Sequence, residues 1–180
     1  LVPHKIGMYV CGSTVYDLGH LGHGRAAVSF DVIRRYFIWK KFEVRFVSNV
    51  TDIDDKMIQR AEEQHISVQE LADRIIPEYE KDFSTLRVLP PDFRPKATEY
   101  IEPMIELIHK MEQRNAVYTL ADGVYFDVSR FPEYGKLSGQ NLSELEMGAR
   151  VAVHAGKKNP QDFVLWKFEK PGEPAWESPW

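Results

Sequence analysis

His20-Leu21-Gly22-His23 places two imidazoles three residues apart around a glycine, within a stretch that also holds Gly12, Gly19 and Gly24. These residue types in this order suit phosphate chemistry if the stretch opens a helix. The first N–H groups of a helix are unpaired and carry the positive end of its dipole, so anions bind there. Glycines let a phosphate come close to the backbone. Two histidines on one side of the opening turn can donate hydrogen bonds to phosphate oxygens as charge develops. Taken alone, four residues are also compatible with metal binding or with chance. What decides between these readings is the setting, a strand before and a helix after.

Three further motifs stand near this stretch or compete with it. Cys11, the single cysteine of the chain, closes the first strand just before the glycine-rich turn. A lone cysteine is commonly a small hydrophobe, and a structural zinc site takes four ligands. His4, His65, His109 and His154 lack ligand spacing. Thr51-Asp52-Ile53-Asp54-Asp55 follows the second strand and offers carboxylates. Paired carboxylates bind Mg²⁺, but capping of the helix that begins near Lys56 is the favoured reading of Asp52 or Asp54. Lys136-Leu137-Ser138-Gly139 lacks the glycine spacing of a phosphate-binding loop and reads as a turn.

The elements that must position these residues are legible from periodicity. Lys5 to Cys11 reads as a strand. His23 to Lys41 reads as a helix with Ala26, Ala27, Phe30, Ile33, Phe37 and Ile38 near helical spacing, and Glu43 to Val50 as a second strand covered on both faces. Strand, helix and strand with short links make a βαβ unit with parallel strands. Its ligand crevice lies at the C-terminal strand ends, where Cys11, His20 and Thr51 should meet. A helix then runs to about Gln64. Ser67 and Glu70 form a capping box for a helix reaching Leu86, which Pro77 should kink or split. Thr98 is read as the cap of a helix to Arg114. Ala116–Leu120 and Val124–Val128 flank Ala121-Asp122-Gly123, a β-hairpin signal. A short helix is expected over Leu142–Met147. The tail, with Trp176 and Trp180 expected to form an exposed apolar patch, reads as the edge of a longer chain.

Composition narrows the class. Of the 180 residues, 43% are hydrophobic and 28% charged, an ordinary globular balance that argues against disorder. The net charge is −4 and the basic residues are scattered, with small clusters at Arg34-Arg35 and Lys40-Lys41, so charge alone does not argue for a nucleic-acid binder, while a local basic face stays open. No apolar run approaches the roughly 20 residues of a membrane span. Residues 1–15 lack the basic start and long apolar stretch of a secretory leader. One cysteine excludes an internal disulfide and fits a reducing cytoplasm.

Taken in order, several blocks resemble cysteinyl-tRNA synthetases, a family of class I aminoacyl-tRNA synthetases. Met8-Tyr9-Val10-Cys11-Gly12-Ser13-Thr14-Val15-Tyr16-Asp17 is similar to the family's first strand and turn, and His20 to His23 to its "HIGH" motif with leucine for isoleucine. Asn49-Val50-Thr51-Asp52-Ile53-Asp54-Asp55-Lys56, Asn159 to Lys167 and Trp176 to Trp180 are similar to later segments. The resemblance implies an α/β fold: a Rossmann-like (HUP-type) parallel sheet with helices on both faces, plus a connective insertion carrying a β-hairpin. It implies that residues 1–114 are the N-terminal half of the nucleotide-binding catalytic domain, and 115–180 the insertion and the start of the return. The family's "KMSKS" loop, its remaining zinc ligands and its anticodon-binding region are not among these residues, so the chain reads as part of a longer enzyme.

The implied chemistry is attack of the L-cysteine carboxylate on the α-phosphate of ATP, accompanied by Mg²⁺, then transfer to tRNA-Cys by a full-length monomeric enzyme. His20 and His23 would be catalytic. Together with Leu21 and Gly22 they would bind ATP. Gly12, Thr14 and Thr51 would line the amino-acid pocket. Cys11 would be one ligand of a Zn²⁺ that takes the substrate thiolate, which would separate cysteine from serine without editing. Two alternatives stay open: a related ligase that passes activated cysteine to an amino sugar, and an inactive fragment or binding module of the same fold.

Overall fold

The computed structural model describes residues 3–139 and 156–180. The helix expected over Leu142–Met147, and His154, lie outside the described residues. By its contacts the chain falls into two units, Leu1–Tyr100 and Ile101–Trp180.

The first unit is built on β1 (Lys5–Val10), α1 (Leu21–Trp39) and β2 (Glu43–Ser48). The strands pair in parallel, Lys5 opposite Glu43 through Val10 opposite Ser48. This is the βαβ unit that the period change from strand to helix to strand requires. Beyond β2 the residues from Asp92 to Ala97 run beside its other edge, with parallel bridges Val47–Phe93 and Val50–Lys96. Pro90, Pro91 and Pro95 conceal this third extended segment in the sequence, because proline cannot donate to a ladder. Asp92 Oδ2 accepts the Phe46 N–H at 2.6 Å, and the Phe93 and Pro95 carbonyls accept from Ser48 and Val50.

Helices α2 (Asp55–Glu63) and α3 (Val68–Thr85) follow. Ser67 and Glu70 form the capping box that opens α3. The helix continues through Pro77 rather than splitting there. Pro77 costs one backbone bond, but Leu71, Ala72, Ile75 and Tyr79 are buried in one core with Val15, Val50, Met57 and Ala61, and that burial outweighs the lost bond. Thr98 does not cap a long helix. It sits in a 3-10 turn, Ala97–Tyr100, with its N–H and hydroxyl on the Asp52 carboxylate at 3.0 and 2.6 Å.

Helix α1 departs most from its apolar periodicity. Phe30, Ile33 and Ile38 are exposed, as are Val32, Tyr36 and Trp39, whereas Asp31 and Arg34 are buried. The face that the chain covers is the polar one. Asp31 accepts the Leu89 N–H at 3.0 Å, and Arg34 donates to the Pro90 carbonyl at 2.7 Å and to both Asp92 oxygens. Spacing shows that a helix has an apolar side, not what lies against it.

The second unit holds α4 (Ile101–Glu112) and an antiparallel sheet of β3 (Val117–Leu120), β4 (Gly123–Phe126) and β5 (Phe163–Lys167). The hairpin turns at Ala121-Asp122, with Leu120 opposite Gly123. Strand β5 was not anticipated. The short apolar run Phe163-Val164-Leu165-Trp166 was its signal. Asp162, almost fully buried, accepts from the Val128 N–H, the Asn159 N–H and the Tyr118 hydroxyl. Trp180 is not part of an exposed patch. Its indole N–H donates to Glu112 Oε1 at 2.7 Å, and its ring lies against Trp166 and His109. An indole with a polar partner within reach is held down by it.

Candidate functional site

The glycine-rich turn joins β1 to α1, and His20 is the N-cap of that helix in extended backbone. The cap is reciprocal. The Gly22 N–H donates to His20 Nδ1 at 3.1 Å, and the His20 N–H donates to His23 Nδ1 at 3.2 Å. The two rings stack with centroids 3.9 Å apart. Serine or aspartate with glutamate ordinarily builds such a box; here two imidazoles do. Both Nδ1 atoms accept, so each neutral ring carries its proton on Nε2. The sequence suggested open backbone N–H groups for an anion. The structure uses the Gly22 N–H internally, and the Nε2–H groups of the two rings can donate to a ligand.

Burial, then the charge of His20, holds the His23 imidazole below its ordinary value of 6.5. The unfolded chain therefore takes this proton more readily than the folded one. The contribution is fully favourable above the unfolded value and is lost as pH falls through it, levelling below the folded value. Melting temperatures between about pH 7.5 and pH 5.5 should fall less for His23→Gln than for the unsubstituted chain. Equal slopes would show that His23 titrates as in the unfolded chain.

His20 and His23 line a cavity of about 1070 Å³ together with Cys11, Gly12, Thr14 and Asn49. Cys11 and His20 thus share one crevice at the C-terminal end of β1. Leu21 and Gly22 are exposed and do not line it. Thr51 is not among the lining residues. It bridges Thr14 in parallel, and its N–H donates to the Ser13 carbonyl at 3.2 Å.

Asn49 carries no role in the sequence reading, yet it ties the strand ends together. Its Oδ1 accepts from the Gly12 N–H and the Tyr9 hydroxyl, each at 2.9 Å, and its Nδ2 donates to Thr51 Oγ1 at 3.2 Å. An amide at a strand end beside a threonine was its signal. Tyr79 of α3, also in the cavity wall, had none beyond its helical spacing.

The carboxylates after β2 serve structure. Asp54 caps α2 by accepting the Lys56 N–H at 3.0 Å, and Asp52 is buried on Thr98. Neither is disposed as a Mg²⁺ ligand. Cys11 is exposed, and among the described residues no group of three or more His, Cys, Asp or Glu could hold a metal ion. One thiol and two histidines whose Nδ1 atoms are engaged do not complete a zinc shell.

The arrangement can seat an anion against two imidazole N–H groups and a small molecule between Cys11 and Thr14. Comparison with known proteins gives the family of the chain. The family model described as tRNA synthetases class I (C) catalytic domain matches residues 1–180. A cysteine–tRNA ligase of Shewanella sp. strain ANA-3 is 55% identical over the whole chain, which covers 39% of that protein. Its counterpart in Shewanella oneidensis is 56% identical over 99% of the chain and again 39% of the relative. The chain thus spans about two fifths of the length of these relatives. A methionyl-tRNA synthetase of Mycobacterium tuberculosis, solved with methionyl-adenylate, shares the fold at TM-score 0.57 and 22% identity, over 62% of this chain and 23% of that one.

Proposed function

From the premise that this chain belongs to the class I tRNA synthetase (C) catalytic-domain family, we propose that it is the N-terminal catalytic portion of a cysteine–tRNA ligase. The observation that carries this reading is the shared cavity. Cys11 and the two stacked histidines open on it from one strand end and one helix start. In the full-length protein ATP and L-cysteine are the first substrates and tRNA-Cys the acceptor. The protein is cytoplasmic and works as a monomer.

In this reading ATP lies with its phosphates against the Nε2–H groups of His20 and His23. Those donors are fixed in place before the substrate arrives, so they stabilise charge on the phosphates without reorganising. The carboxylate of cysteine is aligned for attack on the α-phosphate, and pyrophosphate leaves. Alignment and charge stabilisation carry this step, not a protein nucleophile. Mg²⁺ travels with the nucleotide, since the nearby aspartates are engaged elsewhere. Gly12, Thr14 and Thr51 shape the amino-acid end, with Thr51 acting through its bridge to Thr14.

Zinc enters this reading through Cys11 alone, as one ligand of a shell whose other donors lie outside the described residues. The 180-residue chain by itself is therefore expected to lose zinc to a chelating column, as measured by metal analysis. One tightly retained zinc per chain would place the missing donors within these residues.

The acceptor is tested directly. A full-length protein carrying this segment, given ATP and labelled cysteine, should attach the label to the 3′ end of tRNA-Cys. Label appearing on an amino sugar and not on tRNA would overturn the assignment while leaving the activation step in place.

A further inference from the structure

The glycine-rich turn does not stand alone: it rests on one stripe of α3. A Cβ at Gly19 would meet the Tyr79 ring at 3.6 Å and Asp82 Oδ2 at 3.3 Å, and one at Gly24 would meet Leu86 Cδ1 at 3.1 Å. Positions 79, 82 and 86 share a helical face. Between these contacts the Tyr79 ring meets His23 edge-on, with centroids 5.3 Å apart, and its hydroxyl lies 3.3 Å from His23 Nδ1. That nitrogen already accepts the His20 N–H, so it is unprotonated and the phenol is the donor.

We propose that Tyr79 is a positioning residue for the activation step: its hydroxyl holds the His23 ring in the orientation that presents Nε2–H to the nucleotide. This rests on the ligase reading above for what His23 does, but not for where the ring is held. Tyr79 is buried in the core cluster of the first unit, which also holds Met57, Leu71 and Ile75, and its ring meets Phe83, so its own position is fixed by packing. Burial raises the phenol above its ordinary value, which keeps it protonated and donating across the neutral range. The Tyr79 hydroxyl thus ties α3 to the start of α1 through His23. A tyrosine in a core is usually accounted for by its ring. Here the hydroxyl points at the one side chain of the turn whose orientation matters most.

Tyr79→Phe keeps the ring and removes only the donor. In a full-length protein carrying this segment, it should lower kcat of cysteine-dependent ATP–pyrophosphate exchange by about tenfold, with KM for ATP and cysteine nearly unchanged. Tyr79→Leu, which also loses ring packing, should lower the melting temperature as well, whereas Tyr79→Phe should not. Nitrogen-15 spectra of the imidazoles give a readout independent of activity: the His23 Nδ1 resonance should move in Tyr79→Phe while the Nε2 resonance stays protonated. Unchanged kcat together with an unchanged Nδ1 resonance would overturn the proposal. A protein that shows the Nδ1 shift but no exchange with cysteine even when unsubstituted would sustain the contact and sink the ligase reading instead.

Discussion

Gly12→Ala is expected to prevent the first unit from forming its native site. The Cβ it adds would lie 1.6 Å from the carbonyl oxygen of Asn49 and 2.7 Å from its carbon. Both are backbone atoms, so no side-chain rotation relieves the overlap. The ends of β1 and β2 must part, which breaks the bond from the Gly12 N–H to Asn49 Oδ1 and strains the neighbouring Thr14–Thr51 bridge. A cost above about 4 kcal/mol is expected, at the upper end for single substitutions. Urea titration of the chain followed by far-UV circular dichroism checks this. A midpoint within a few tenths molar of the unsubstituted chain would show that the strand ends are looser than this geometry allows.

The second large effect is on rate. His23→Ala in a full-length protein should slow cysteine-dependent adenylate formation by about 10²- to 10³-fold, the size of losing one preorganised donor to developing charge. The loss should fall on kcat, because a neutral imidazole N–H binds a phosphate weakly in the ground state and more strongly as charge accumulates. Part of the loss is structural, since His23 Nδ1 also accepts the His20 N–H. His23→Asn, whose side-chain oxygen can still accept that N–H, separates the two roles. It should restore the melting temperature and not the rate. Recovery of the rate by asparagine would remove the Nε2–H from the mechanism.

The residues that were legible in the sequence are those whose local chemistry decides their structure. The parallel pairing of β1 and β2 followed from two apolar runs with a helix between them. The Ser67 capping box, the α2 cap by Asp54 and the turn at Ala121-Asp122 followed from short-range rules. What the sequence did not reveal depends on distant partners. The exposed face of α1 and the burial of Asp31 and Arg34 depend on residues 87–92, more than fifty positions away. The extended segment beside β2 was masked by its own prolines. Trp180 read as an unpaired apolar tail because nothing local announces Glu112, sixty-eight positions earlier, as its partner. In the candidate site, the histidine pair and Cys11 were legible by residue type. That the histidines cap each other, that Asn49 bonds across the strand ends and that the Tyr79 hydroxyl meets His23 required the tertiary structure.

The central claim, that this cavity activates cysteine, is tested most directly by pyrophosphate exchange across amino acids. A full-length protein carrying this segment, with ATP, Mg²⁺ and labelled pyrophosphate, is assayed with cysteine, serine, methionine and the other amino acids in turn. Cysteine should support exchange, and serine and methionine at equal concentration should not. Exchange with another amino acid and none with cysteine would contradict the account.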